Sequence, residues 1–239
     1  MTSTKSRSAL VGSLLLIAMF GLGLSAVRTS MPASDAAGQP DVAPVYEVDP
    51  FWPKPLPNDW LIGQVGGIAV DARDHVWVLQ RPGSLTRDEA GAAQEPPLSS
   101  CCHPAPPVLE VDADGSLVQA WGGPGAGYEW PQTEHGIFVD HEDNVWVAGS
   151  GADDHQVLKF RRDGTFLLQI GRAGRTGGSN HEEYLGSPAD IAVDPATNEV
   201  YIADGYGNRR VIVFDAETGA YRRHWGCLLY TSPSPRDKF

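Results

Sequence analysis

The amino-acid sequence predicts an all-β protein of the propeller class, because one motif recurs three times along the chain. In each copy an apolar run ends in Asp, and a second apolar run opens on an aromatic residue six or seven residues later. Two more apolar runs follow before the next copy. A unit of about four short strands that recurs every ~40–50 residues is typical of a propeller blade. The three copies of the opening run are Ile68–Asp71, Ile137–Asp140 and Ile191–Asp194.

The repeat divides residues 45–226 into about three predicted blades. They span approximately residues 66–122, 135–171 and 189–226. In the first blade, short apolar segments bounded by polar turn residues predict four strands. These strands are Ile68–Val70, Val76–Leu79, Val108–Val111 and Leu117–Trp121. Val45–Val48 is predicted as a short strand ahead of the first blade, because such a strand often completes the last blade of a closed ring.

Asp and Gly residues between the last two strands of each blade predict hairpin turns. The second blade carries Arg162-Asp163-Gly164, and the other two carry Asp112–Gly115 and Asp215–Gly219 at the equivalent place. Asp–Gly pairs supply the backbone conformations that tight hairpins need. Turn chemistry is therefore the favoured interpretation, and calcium ligation by the same carboxylates is the alternative.

A long insertion separates the second and third strands of the first blade. It runs from Arg81 to Pro107 and is rich in Pro, Ala and Ser. Loops of this length in a compact domain are usually functional or disordered. Propellers close with ~4–8 blades, so three blades predict the N-terminal half of a ring of about six. Residues 227–239 fit this expectation, because Cys227–Asp237 back-translates to a string that resembles a sequencing-library adapter. The alternative is a genuine Pro/Ser-rich tail.

The N-terminal region predicts export. Residues 1–26 combine Lys5 and Arg7 with a long apolar run and the small residues that precede a cleavage site, which is typical of a secretory signal. An uncleaved membrane anchor is the alternative. Residues 27–44 have the composition of a disordered spacer. The expected location is periplasmic or extracellular, with membrane contact only through the N-terminal segment.

Charge and cysteine content limit the partners. The formal net charge is −12, and such an acidic chain repels phosphate, so no nucleic-acid partner is expected. Cys101 and Cys102 are adjacent, and export would place them in an oxidising compartment. Three states remain open: a disulfide between them, two free thiols, and a bridge from one of them to a cysteine in the other half of the predicted ring. Together with His103 they also form a weak candidate for a soft-metal site.

The third repeat carries the residues that indicate a family. Asp204, Asn208 and Arg210 stand between Tyr201-Ile202 and Val211–Phe214. This spacing resembles the signature of the NHL repeat. Within that class the chain resembles the peptidyl-hydroxyglycine amidating lyases, over about Gly66 to Gly226. The motifs that carry the resemblance are Trp130-Pro131 with His135–Asp140, His155–Phe160, Pro188–Asp194 and Ala203–Tyr206.

The resemblance implies a chemistry for three side chains. These lyases cleave a carbinolamide into an amide and glyoxylate at a zinc ion held by three histidines from different blades. By resemblance, His135 is a zinc ligand, Tyr206 a catalytic general base and Arg81 a substrate-binding residue. A metal ion polarises a hydroxyl, and Arg binds a carboxylate. Gly186 and Gly207 stand where the family has a disulfide, so that brace is absent.

Each of these residues also has a structural interpretation. His135 and Tyr206 could line the channel as packing residues, Arg81 could cap a strand, and Asp204, Asn208 and Arg210 are favoured as repeat scaffold. Two functions follow. The first is a zinc-dependent carbon–nitrogen lyase that acts on a small molecule or peptide in the channel. The second is a non-catalytic propeller that holds a ligand or protein on the same face.

Overall fold

The computed structural model describes residues 45–226, and the chain divides after Glu47 into two units. The predicted signal or anchor (1–26), the spacer (27–44) and the adapter-like tail (227–239) lie outside the described residues. In the second unit the predicted all-β propeller is confirmed, because three antiparallel sheets of four strands follow one another along the chain. They are named blades 1, 2 and 3.

Each blade is a simple meander whose strands are neighbours in chain order. A two-residue strand β1 (Trp60–Leu61) pairs in parallel with β4 (His103–Pro104) outside the blades. Blade 1 contains β2 (Gln64–Val70), β3 (Val76–Arg81), β5 (Val108–Val111) and β6 (Leu117–Trp121). Blade 2 contains β7 (Glu134–Val139), β8 (Val145–Gly149), β9 (Gln156–Phe160) and β10 (Phe166–Gly171). Blade 3 contains β11 (Asp190–Asp194), β12 (Glu199–Asp204), β13 (Arg210–Asp215) and β14 (Tyr221–Gly226).

Helical structure within residues 45–226 is limited to two 3-10 turns, Pro82–Ser84 and Gly91–Ala93. None of these described residues forms a helix long and apolar enough to cross a membrane. The predicted strand at Val45–Val48 is wrong, since the structure has no strand there and Val45 and Val48 are exposed. A strand needs a hydrogen-bonding neighbour, and no described segment pairs with this one.

The blades are held together by apolar side chains between neighbouring sheets. Strand β7 lies beside β2 on one side and beside β11 on the other, so these three are the inner strands. Two apolar clusters fill the gaps between blades, and their largest fully buried members are Trp77 and Trp146. Burying a large apolar side chain contributes about 1.5–3 kcal/mol. The repeat therefore builds its core between blades and not within one.

The outer face of blade 1 lacks this cover among the described residues. Ile68 and Val70 on β2 are 66% and 60% exposed, whereas the repeat-equivalent Ile137 is 5% and Val193 is 7% exposed. The difference arises because β7 and β11 each have a preceding blade in front of them.

In blades 1 and 2 the Asp at the end of the opening run ties the blade together. The Asp71 carboxylate accepts a hydrogen bond from Trp77 Nε1 at 3.2 Å, and Asp140 accepts one from Trp146 Nε1 at 2.9 Å. Both carboxylates also accept backbone N–H groups of the following turn. The six-residue interval between Asp and Trp in the sequence is thus explained by a buried hydrogen bond between the two side chains.

Asp204, Asn208 and Arg210 form a buried network in blade 3. Asp204 Oδ2 accepts hydrogen bonds from Arg210 Nε at 2.8 Å and Asn208 Nδ2 at 2.7 Å, and its Oδ1 accepts the Gly186 N–H at 2.7 Å. The Arg210 guanidinium also donates to the carbonyl oxygens of residues 179, 181 and 184. One ion pair therefore anchors the loop that leads into β11 and the loop that carries Tyr206.

We expect the substitution Arg210→Met to lower the free energy of unfolding by about 3–5 kcal/mol, because it leaves the Asp204 carboxylate buried without its charge partner. The matched control is Arg223→Met. Arg223 pairs with Glu199 at 2.6 Å, but its side chain is 48% exposed and solvent screens the pair. Chemical denaturation measures both variants. Equal losses would contradict the role given to the Asp204–Arg210 pair.

Candidate functional site

The site begins with a β-bulge at His135. In the pairing of β7 with β8, Glu134 lies opposite Gly149 and Gly136 lies opposite Ala148, so His135 is the extra residue on β7. A bulge bends its strand and changes the direction of a side chain, and bulges are common beside active sites. Blade 1 has the same irregularity between Val65 and Gly67. Blade 3 has no such shift in its first strand pair. The bulge is therefore not a constant part of the repeat, and among the described blades only blade 2 places a histidine in it.

The bulge brings His135 to Tyr206. His135 Nε2 lies 2.8 Å from the Tyr206 hydroxyl oxygen, and the two rings meet edge to face with centroids 5.3 Å apart. Tyr206 belongs to the loop between β12 and β13 and is 62% exposed. The pair therefore joins two blades across the inner strands, and Tyr206 remains open to solvent.

Arg81 reaches the same strand from the other side. Its Nε donates a hydrogen bond to the carbonyl oxygen of Glu134 at 2.7 Å, and its Nη1 lies 3.4 Å from Gln64 Oε1. Arg81 ends β3 and His135 follows Glu134, so the guanidinium and the imidazole come from neighbouring strand ends. The three residues that the resemblance selected are thereby brought to one edge of the inner strands.

Two glycines position the Tyr206 loop. The Gly207 N–H donates to the Gly186 carbonyl oxygen at 2.7 Å. A Cβ atom on Gly207 would lie 2.7 Å from that oxygen, which is too close without movement of the backbone. This is the place where the resembling lyases have a disulfide. Here a backbone hydrogen bond between two glycines makes the contact.

Glu134 is a buried carboxyl group that the sequence did not single out. Its Oε1 accepts a hydrogen bond from Trp130 Nε1 at 2.9 Å, and its backbone carbonyl binds Arg81. Burial raises the pKa of the Glu134 carboxyl above its usual range, against the lowering effect of the Trp130 hydrogen bond. Nothing in the sequence marks this glutamate except its position directly before His135.

The insertion rises from the same edge of blade 1. Residues 82–107 connect β3 to β5, whereas residues 150–155 and 205–209 make the equivalent connections in blades 2 and 3. The buried Gln80 amide holds its far end, since Nε2 donates to the carbonyl oxygens of Ala105 at 2.7 Å and Pro106 at 3.1 Å. The insertion is thus folded onto blade 1 beside Arg81.

The described residues do not by themselves form a zinc site at His135. A catalytic zinc takes three protein ligands. Among the described residues, three potential ligands lie close enough together to hold an ion only at the opposite end of blade 1, where they are Asp71, His75 and Glu110. The Arg162 guanidinium already contacts both carboxylates of that group. A cation from the protein thus stands where a metal would bind.

The acidic turns use their carboxylates locally. Asp112 Oδ1 accepts the Ser116 N–H at 2.7 Å, and Asp215 Oδ1 accepts the Thr218 N–H at 2.8 Å. These are the hydrogen bonds of side-chain-supported turns. They are the contacts that the turn interpretation predicts.

Residues 185–214 match the family model for the NHL repeat. The chain contains an NHL repeat. It is 30% identical to the peptidyl-glycine alpha-amidating monooxygenase B of Xenopus laevis over 193 residues. This alignment covers 75% of the chain and 20% of that relative. It is 37% identical over 130 residues to the peptidyl-alpha-hydroxyglycine alpha-amidating lyase 2 of Drosophila melanogaster, covering 54% of the chain and 28% of the relative.

A third relative is named for its repeat and not for an activity. The NHL repeat-containing protein 3 of Mus musculus is 29% identical over 177 residues, which covers 71% of the chain and 43% of that protein. The chain therefore spans less than half the length of these relatives. The NHL repeat predicted around Asp204, Asn208 and Arg210 is confirmed, and the relation to the amidating lyases and monooxygenases is shown.

We expect the substitution Glu134→Gln to change how stability depends on pH. Because the folded state raises the pKa of Glu134, the native protein binds this proton more tightly than the unfolded chain does, and stability falls as pH rises from the unfolded pKa through the folded pKa. Each unit of that pKa difference corresponds to about 1.4 kcal/mol. Glutamine keeps the acceptor for Trp130 and cannot ionise.

The measurement is urea denaturation of wild type and Glu134→Gln across the acidic range. Stability of the variant relative to wild type should increase with pH and then level off. Parallel pH profiles for the two proteins would show that Glu134 ionises equally in the folded and unfolded states.

Proposed function

We propose that the edge carrying Arg81, His135 and Tyr206 is the active site of a lyase for N-acyl-α-hydroxyglycines. The single observation that carries this proposal is the 2.8 Å contact between His135 Nε2 and the Tyr206 hydroxyl, formed between residues of two blades at the positions that the lyase resemblance selects. The name of the Drosophila relative, peptidyl-alpha-hydroxyglycine alpha-amidating lyase 2, supports α-hydroxyglycines as the substrate class.

The reaction breaks one carbon–nitrogen bond. The substrate hydroxyl loses its proton, its carbon–oxygen bond becomes the aldehyde of glyoxylate, and the amide nitrogen leaves with a proton. The Tyr206 oxygen and His135 Nε2 share one proton in their hydrogen bond, so this pair can accept the hydroxyl proton and return one to the nitrogen. No net proton is gained or lost.

Arg81 supplies the positive charge that the substrate carboxylate requires. A guanidinium binds a carboxylate through two parallel hydrogen bonds. The Nε of Arg81 is engaged by the Glu134 carbonyl oxygen and its Nη1 lies 3.4 Å from Gln64 Oε1, which together fix the plane of the guanidinium. Nη2 and the second hydrogen of Nη1 remain for the ligand. The carboxylate would thereby be held next to the strand that carries His135.

Zinc is an expectation of the resemblance and no step is assigned to it. The described residues offer one imidazole at this point, and three protein ligands are the rule for a catalytic zinc. The proposal therefore assigns proton transfer to Tyr206 and His135, and carboxylate binding to Arg81, from their own chemistry.

A second function is a propeller that binds a small molecule or peptide on this edge without reaction. The long insertion beside Arg81 favours it, because loops of this length often form binding surfaces. The mouse relative, NHL repeat-containing protein 3, is named for its repeat and for no activity, which is consistent with this second function. The two functions share the same edge and differ in whether Tyr206 takes part in chemistry.

The test is glyoxylate release from an N-acyl-α-hydroxyglycine, measured with and without added zinc. We expect Tyr206→Phe to lower kcat by about 10²–10⁴-fold, the range for loss of a general acid–base group. The matched control is Tyr201→Phe in the same blade, whose hydroxyl contacts Glu199 at 3.1 Å and lies outside the site. That variant should keep wild-type activity.

Two results would overturn the lyase proposal. One is a Tyr206→Phe variant as active as wild type. The other is wild-type protein that binds the substrate, as measured by calorimetry, and releases no glyoxylate, which would favour the binding propeller.

A further inference from the structure

Cys101 and Cys102 are joined to each other in a disulfide within the insertion. Cys101 is exposed and Cys102 is half-buried. Of the three states that the sequence left open, the structure has the bridge between neighbours. The pair belongs to blade 1 and is separate from the His135–Tyr206 pair.

This disulfide is not a structural brace. A disulfide stabilises a fold mainly by closing a loop in the unfolded chain, and the effect grows with loop length. A bridge between adjacent residues closes the shortest loop there is. It also ties the insertion to no other segment, so its presence needs an explanation other than stability.

Other contacts hold the chain on both sides of the pair. Before it, the Ser99 hydroxyl donates to the Cys101 carbonyl oxygen, and Gly91 packs against this turn. After it, the His103 N–H donates to the Asp59 carbonyl oxygen at 3.0 Å, within the β1–β4 pairing. Opening the bridge therefore changes the covalent state of two side chains and leaves these anchors in place.

Exposure makes the bridge chemically accessible. Exposed disulfides are the ones that exchange with thiols, whereas buried structural bridges resist reduction. The reaction requires a thiolate to approach one sulfur from solvent, and Cys101 is on the surface. The insertion leaves the sheet at the edge where Arg81 and Tyr206 lie, so the pair belongs to a loop beside the proposed active site.

We propose that Cys101–Cys102 is a thiol–disulfide exchange site that takes two electrons from two small-molecule thiols. The first thiolate attacks Sγ of Cys101, the bond between the two sulfurs breaks, and Cys102 leaves as a thiolate that takes up a proton. A second thiolate attacks the donor sulfur of the mixed disulfide, and Cys101 leaves as a thiolate that takes up a proton. The products are a vicinal dithiol on the protein and one oxidised disulfide of the donor.

The test is alkylation of the native protein in reduced glutathione, followed by tryptic mass spectrometry. Cys227 is replaced by Ser in every sample to prevent exchange with it. Cys101 and Cys102 are then the two cysteines of the protein, and both fall in the tryptic peptide 88–159. We expect the 88–159 peptide to gain two alkyl groups while tryptophan fluorescence stays that of the folded protein.

The control is the Cys101→Ser, Cys102→Ser double variant, whose stability should match the oxidised protein because the bridge is no brace. Two outcomes would overturn the proposal. If both cysteines are alkylated before any thiol is added, there is no bridge to exchange. If they are alkylated only when denaturant unfolds the chain, the bridge does not exchange in the folded protein.

Discussion

The packing of one blade against the next is the interaction on which the rest of this structure depends. Each sheet has only four strands and no core of its own, and the buried Trp77 and Trp146 lie in the clusters between sheets. The same packing sets the inner strands β2, β7 and β11 side by side. Without it Arg81, His135 and Tyr206, which belong to three blades, would not share one edge.

Buried acidic side chains fix the blades internally, and one of them, Asp204, also holds the loop that carries Tyr206. Asp71 and Asp140 bind the tryptophan of their own blade, and Asp204 binds Arg210. Asp71 illustrates the balance: burial would raise its pKa, but hydrogen bonds from Trp77, the following turn and Arg162 lower it to about 2. The carboxylate remains charged and its donors are satisfied, which is the condition for a polar group inside a fold.

The candidate site uses features that deviate from the regular repeat. His135 stands in a bulge, Tyr206 in a loop held by two glycines, and Arg81 at the start of an insertion that the other blades lack. Regular positions maintain the scaffold, so their side chains are committed to packing. Irregular positions have side chains free to meet a ligand. The redox-capable pair Cys101–Cys102 belongs to the same irregular part of blade 1.

The sequence by itself determined the fold class, the blade boundaries and the NHL repeat, because strand alternation and the Asp-to-Trp spacing are local patterns that recur. It also pointed to Arg81, His135 and Tyr206, through resemblance. The tertiary structure alone decided that these residues meet, that Glu134 is buried beside them and that Val45–Val48 forms no strand. These facts depend on contacts between residues far apart in the chain, such as His135 and Tyr206, whose sequence separation is 71, and no local pattern encodes such contacts.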